Sequence, residues 1–250
     1  LVTGAASGLG KADAAMLAKS GATVYLTDVN DAAGKKAAKE INEKYKKGKR
    51  AFFMHHDVAS EKEWAKVIAS IKRKSKRLDV LVNNAGILRD KTFANMELAD
   101  FELVVDVHLH GSVNCTKAVW SHMRDRQYGR VVMTSSSSGI YGNFGQANYA
   151  AAKMGLIGLM NSLAIEGLKY GIHVNALAPI AATRMTEDLM PPEALHACRS
   201  DSVHAPACLT VPLSMMNNVS AFPSIAPASA DGLNPSGAPI RALPCASVAT

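Results

Sequence analysis

The sequence predicts an α/β protein: a three-layer, doubly wound parallel sheet followed by an irregular C-terminal tail. Three observations carry this prediction. Short apolar runs alternate with helix-length stretches from residue 1 to about 180. A glycine-rich turn directly follows the first apolar run. The alternation stops near residue 197, which divides the chain into a domain over 1–197 and a tail over 198–250.

The elements follow in order. "LVTG" reads as the first strand, with its N-terminal part clipped since no initiator Met precedes it, and a helix is expected over 8–20. "ATVYLTD" and "RAFFMHHD" are the next strands, each followed by a helix, over 31–47 and 60–76. "LDVLVNNAG" leads into a long helix over 97–125, and "GRVVMTSS" into one over 148–170, before the sixth strand "IHVNALAP". Such near-continuous apolar runs are typical of strands covered on both faces. In the last helix Leu156, Leu159, Met160 and Leu163 repeat at i, i+3, i+4 and i+7, which gives it one apolar face. Sheets of this kind bind ligands beyond the carboxyl ends of their strands.

Composition excludes several classes of function. No run of eighteen apolar residues exists, and the first residues lack the basic start and apolar stretch of a signal peptide. Four cysteines without CxxC spacing fit a reducing compartment, and His55–His56 lacks partners at ligand spacing, so no metal is expected. The net charge is +7, and residues 35–50 and 62–77 hold 15 of the 28 Lys and Arg. They read as solvated helix faces, or alternatively as a field that steers an anionic substrate such as an acyl-CoA. "KRKSKR" lacks interleaved aromatics, so nucleic acid is not a partner. Residues 198–250 carry only Arg199, Asp201, Asp231 and Arg241 as charges, seven of ten prolines, and no periodicity of either kind.

"TGAASGLG" places Gly4, Gly8 and Gly10, with Ser7 and Leu9 between them, at a strand-to-helix turn. Glycines admit a pyrophosphate close to the backbone, and the helix N-terminus favours its charge, which is the Rossmann-type arrangement. An ATPase P-loop is excluded because Ala5 and Ala12 stand where Gly and Ser/Thr are needed. Asp28 ends the second strand, where a carboxylate accepts both ribose hydroxyls and repels a 2′-phosphate, favouring NAD over NADP. Tight packing alone would also explain the glycines, a turn would explain Asp28, and Lys11 would instead attract the phosphate.

Tyr149 and Lys153 stand four apart at a helix start, hence on one face. A phenol is a poor base at neutral pH, and an adjacent ammonium should lower its pKa enough for proton exchange with an alcohol. Tyr141 has Gly145 four residues on and cannot pair in this way. "TGAASGLG", "NNAG", Tyr149–Lys153 and a serine thirteen residues before the tyrosine together resemble the short-chain dehydrogenase/reductase family over residues 1–190. "NNAGILRDKTFA", "SSSSGIYGNFGQANYAAAKMGL" and "APIAATRMTEDLMP" look like the (3R)-hydroxyacyl-CoA dehydrogenase domains of multifunctional enzymes and their single-domain bacterial relatives.

That resemblance implies roles. Tyr149 would be the general acid/base, Lys153 would hold the nicotinamide ribose, and Ser136 would hydrogen-bond the substrate oxygen. Asp57 and Val58 would meet the adenine, and Asn84, Ala85 and Gly86 would line the cofactor cleft. Pro179 and the stretch from Thr183 to Met185 would approach the carboxamide. Ser135, Ser137 and Ser138 would shape the turn, and Tyr141 would wall the substrate cleft. It also implies a homodimer or homotetramer packed through the helices over 97–125 and 148–170. His108 stands where many members have Asn, and it reads either as a packed residue or as a proton relay.

The tail departs from the family, which continues with a further helix and a seventh strand. A shift of reading frame near "EALHACRS" would account for this. The expected activity is NAD-dependent oxidation of a (3R)-hydroxyacyl-CoA. The alternatives are an NADPH-dependent 3-oxoacyl reductase, a hydroxysteroid dehydrogenase, or a truncated chain that binds dinucleotide without catalysis. The chain ends in "SVAT" without a peroxisomal tripeptide, so the cytoplasm is the expected compartment.

Overall fold

The computed structural model describes residues 1–45, 48, 50–179 and 209–211. Strands β1 (Val2–Thr3), β2 (Val24–Asp28), β3 (Ala51–His55), β4 (Val80–Asn83), β5 (Gly129–Thr134) and β6 (Ile172–Ala178) pair in parallel, in the order 3-2-1-4-5-6. Each of the six predicted strands is present. A seventh, β7 (Leu209–Val211), runs antiparallel to the carboxyl end of β6. The expectation of no strand beyond 198 is therefore corrected at these three residues, where backbone pairing with Ala176–Ala178 supplies what periodicity did not signal.

Helices α1 (Gly8–Lys19) and α2 (Asp31–Lys44) cover one face, and Ala14, Ala18, Ala37 and Ile41 pack there against Val2, Val24 and Leu26. The other face carries α3 (Glu61–Ser75), α5 (Gly111–Asp125) and α7 (Ala147–Leu168), which meet β4 to β6 through Trp64, Ile71, Val119, Met123, Leu156 and Met160. These two cores make the three layers. Among the residues at helical spacing in α7, Leu156 and Met160 are fully buried, while Leu159 and Leu163 pack at the edge of the same core.

Local chemistry explains the helix limits. Asn30 caps α2 by accepting from the Ala33 amide at 3.0 Å, and α3 stops at Lys76, whose φ of 57° is left-handed. In α3, Glu61 and Glu63 occupy the first turn and Lys72, Arg73 and Lys74 the last, so its charges complement the helix dipole. The segment expected as one helix over 97–125 is instead α4 (Leu98–Val105), a five-residue π turn (Asp106–His110), and α5. The wider turn inserts an extra residue into the helix, a feature common at functional sites, and it carries His108 into the interior. A short helix not foreseen, α6 (Ser137–Tyr141), follows β5.

Among the described residues, no helix is long and apolar enough to cross a membrane, and no three His, Cys, Asp or Glu side chains gather as metal ligands. His55 pairs with Asp31 at 2.7 Å, while His56 is buried edge-on against Trp64.

Leu156→Ala should cost about 2–5 kcal/mol in urea unfolding. The exposed Met16→Ala should stay within about 0.5 kcal/mol of the unsubstituted chain. Similar losses from both would contradict the assignment of the core.

Candidate active site

The sheet reverses its building direction between β1 and β4: β2 and β3 extend it one way, β4 to β6 the other. Loops leaving β1 and β4 diverge there, which opens a crevice at the carboxyl ends. Thr3 and Asn84 fasten its floor. Thr3 Oγ1 accepts from the amides of Asn84 and Ala85, both at 3.0 Å. Asn84 Nδ2 donates to the carbonyls of Thr3 (3.0 Å) and Gly4 (3.2 Å).

That junction dictates the glycines. Gly4 has φ +61°, and a Cβ there would lie 2.7 Å from Ala85 Cα. A Cβ on Gly10 would lie 2.4 Å from Asn84 Nδ2 and 2.5 Å from the Gly4 carbonyl oxygen. Packing requires glycine at both positions. Ser7 and Gly8 are different, because they lie exposed where α1 begins, with Leu9 half-buried behind them. Ser7 is the N-cap residue, yet its side chain caps nothing, and the first turn of α1 holds no acid. The leading amides and the positive end of the dipole are thus left for an anion, and a dinucleotide pyrophosphate fits this donor set.

Asp28 braces the same turn. Its Oδ2 accepts from the Ala6 amide at 3.0 Å and its Oδ1 from the Asn30 amide at 2.9 Å. A carboxylate has about four acceptor sites, so capacity remains for ribose hydroxyls. Lys11, the cation that would attract a 2′-phosphate, is engaged by Glu40 at 2.6 Å. Asp57 accepts from the Ala59 amide, and Val58 is buried against Gly111. Gly86 follows β4, and a Cβ there would lie 2.3 Å from Cε1 of the His108 ring. Pro179 is half-buried just after β6, while Thr183 and Met185 lie outside the described residues.

The second cluster forms at the end of β5. Ser135 is buried and donates to the Lys153 carbonyl at 2.8 Å, tying strand to helix. Ser136 caps α6, accepting from the Ser138 amide at 3.2 Å, and its hydroxyl also hydrogen-bonds the Tyr149 phenol. Ser137 and Ser138 open α6, and Tyr141 is exposed at its end. Lys153 is 3% exposed, donates from Nζ to the Thr134 carbonyl at 2.5 Å, and lies 5.4 Å from the centre of the Tyr149 ring. Ser136, Tyr149 and Lys153 therefore converge.

Their electrostatics differ from the sequence expectation. Burial pulls the Lys153 ammonium down to about 7. Burial likewise raises the Tyr149 phenol; the Ser136 hydrogen bond opposes the rise and the Asp90 carboxylate adds to it. The expected lowering of the phenol by the lysine is therefore corrected. Desolvation dominates both groups, and Lys153 spends its proton on a backbone carbonyl.

His108 resolves toward packing. Its ring meets Tyr149 edge-on at 5.1 Å, and its Nε2 lies 2.8 Å from the Ile87 carbonyl oxygen and 3.0 Å from the Ile87 amide. Burial, then the charge of Lys153, pushes its pKa down to about 3, with the Ile87 contact opposing, so the ring is neutral. Gln146, Asn148 and Asp90 also join this neighbourhood, and sequence reasoning passed over them. The signal available was a pair of uncharged amides in "GQANY", set among the first residues of a helix.

The family model described as short chain dehydrogenase matches residues 1–194. This chain belongs to the short-chain dehydrogenase family. A Mycobacterium tuberculosis protein named as a short-chain type dehydrogenase/reductase is 48% identical over 201 residues, covering 78% of this chain and 70% of that protein. The peroxisomal multifunctional enzyme type 2 of Mus musculus is 45% identical over 209 residues, 81% of this chain, and this chain spans 28% of that enzyme's length. A 3-oxoacyl-[acyl-carrier-protein] reductase of Synechocystis is 44% identical over 191 residues, 76% of each chain. As a short-chain dehydrogenase, the chain is an oxidoreductase of a family that binds a nicotinamide dinucleotide.

The depressed Lys153 has a signature in stability. The unfolded chain keeps this proton up to the ordinary lysine pKa of about 10.4, whereas the folded one releases it near 7. Across that interval the unfolded state binds more protons, so rising pH favours the folded state. Unfolding curves from about pH 7 to about pH 10 should show the unsubstituted chain gaining stability relative to Lys153→Met. Equal slopes for the two would place the ammonium in a hydrated setting instead.

Proposed function

We propose that this short-chain dehydrogenase oxidises the 3-hydroxyl of a (3R)-hydroxyacyl-CoA, or a related secondary alcohol, to the ketone with NAD. The observation that carries the proposal is the convergence of the Ser136 hydroxyl, the Tyr149 phenol and the buried Lys153 ammonium at the end of β5. Gly4, Ser7, Gly8, Leu9 and Gly10 would take the pyrophosphate, Asp28 the adenosine ribose, and Asp57 and Val58 the adenine. Asn84, Ala85, Gly86 and Pro179 would wall the cleft, with Thr183 and Met185 reaching the carboxamide. Asp28 together with the engagement of Lys11 by Glu40 supports NAD over NADP.

In this reading the substrate hydroxyl lies between Ser136 and Tyr149. Ser136 donates to the oxygen and orients it, Tyr149 takes its proton as phenolate, and Lys153 holds the nicotinamide ribose. When bound, the nicotinamide supplies the hydride acceptor. Exposed Leu103, Val113, Met154 and Ile165 on α4, α5 and α7 support assembly as a dimer or tetramer through those helices.

A second reading, reduction of a 3-oxoacyl thioester, draws support from one observation. The raised Tyr149 phenol holds its proton at neutral pH, which is the form that protonates a carbonyl oxygen. A relative named for that reaction is 44% identical.

Spectrophotometric assay of Tyr149→Phe tests the chemistry. Turnover should fall by about 10² to 10⁴ while dinucleotide affinity is kept, and retention of most activity would remove Tyr149 from the mechanism. For the unsubstituted chain, kcat/KM for alcohol oxidation should climb as pH rises above neutrality, because the raised phenol must first lose its proton. NAD should be preferred over NADP by about tenfold or more, and equal use would refute the role given to Asp28.

A further inference from the structure

Two buried amide side chains at the start of α7 take no part in the proton transfer described above, yet nearly all of their polar atoms are engaged. The first amides of a helix have no partner four residues back. The Tyr149 amide is one of them, and the Oδ1 of its neighbour Asn148 accepts it at 2.7 Å. Asn148 is wholly buried, and its Nδ2 donates to the Arg89 carbonyl at 3.0 Å. Gln146, 4% exposed, donates from Nε2 to Asp90 Oδ2 at 2.7 Å and accepts from Asn143 Nδ2 at 3.0 Å. A third tie runs from the Lys91 amide to the Gly145 carbonyl at 2.9 Å.

The other side of these bonds is the loop that leaves β4. Arg89, Asp90 and Lys91 are exposed, so core packing does not hold them. Arg89 and Lys91 also reach Asp100, at 3.7 and 3.3 Å, but exposed ion pairs of this kind fix little. The same loop begins with Asn84, Ala85 and Gly86, the wall of the crevice. Ties at 145, 146 and 148 thus join the crevice wall to the first turn of the helix that carries Tyr149.

We propose that Gln146 and Asn148 are positioning residues, latching the loop after β4 to the first turn of α7 so that the Tyr149 phenol is held at a fixed place relative to the crevice. The consequence for turnover rests on the functional reading above; the latch itself does not. Neither amide touches substrate or reacting atoms. They act through the backbone of Tyr149 and of residues 89–91. Unpaired buried polar groups are costly, so opening one tie strains the rest.

A reciprocal exchange tests this in the full chain. Gln146→Glu sets a carboxylate against Asp90. Adding Asp90→Asn restores a donor facing an acceptor at the net charge of the unsubstituted chain, and Asn143 still donates to the other Glu oxygen. Hydrogen exchange should speed up by about tenfold or more in 88–92 and 146–150 together in Gln146→Glu, and return in the double variant. Under the same conditions kcat should drop by about 10- to 100-fold with KM and dinucleotide affinity little changed, and recover in the double variant. Asp90→Ala, at an exposed position, should act in the same direction if Gln146→Glu fails to fold.

Unchanged exchange in the single variants, or no recovery in the double, overturns the latch. Faster exchange with full turnover overturns its positioning role. An unsubstituted chain without alcohol-dependent turnover would refute the functional reading alone, and the exchange measurement would still decide the latch.

Discussion

The hydrogen bonds between Thr3 and Asn84 are the constraint on which the rest of the site depends. They close the gap between β1 and β4, the point where the sheet changes its building direction. With that gap closed, no room is left for a side chain at Gly4 or Gly10, so the first turn must run as glycine. The tight turn then delivers the uncapped start of α1 to the carboxyl edge of the sheet, and Asp28 fixes it from the second strand. A donor-rich helix end and a crevice wall are therefore products of one packing contact rather than separate inventions.

Desolvation governs the chemistry on the other side of the crevice. Parallel β5 and α7 bury Lys153 almost completely, and the price is an ammonium that titrates near neutrality. The same burial keeps the proton on Tyr149, against the pull of Ser136. Lys153, fully charged in water, is brought toward the range where protons exchange readily, while Tyr149 is moved away from it. His108, neutral and edge-on to the phenol, supplies shape there rather than charge.

Much of this was legible in the sequence, and the reasons are physical. Parallel strands covered on both faces must be apolar throughout, so six runs declared six strands. Gly4 and Gly10 were visible because only glycine fits where backbones touch, and Tyr149 and Lys153 because four residues make one helical turn. What escaped notice depends on contacts across the fold. The π turn at Asp106–His110 leaves no compositional mark, and β7 owes its existence to the pairing edge of β6. Spacing reports the proximity of a lysine to Tyr149 but not the burial that outweighs it, so the direction of the shift is not readable from the sequence. Nothing in the sequence marks the partners of Gln146 and Asn148, which only the position of the β4 loop supplies.

The central claim is that the two halves of the crevice act on one carbon, with proton transfer at Tyr149 and hydride transfer to a dinucleotide seated on the glycine turn. Following deuterium from the 3-position of a (3R)-hydroxyacyl-CoA by mass spectrometry tests this most directly. The predicted result is label in the reduced nicotinamide, from the 3R substrate and not from its 3S epimer. Ketone formed without label in the nicotinamide, or no label transfer from any secondary alcohol offered, would contradict it.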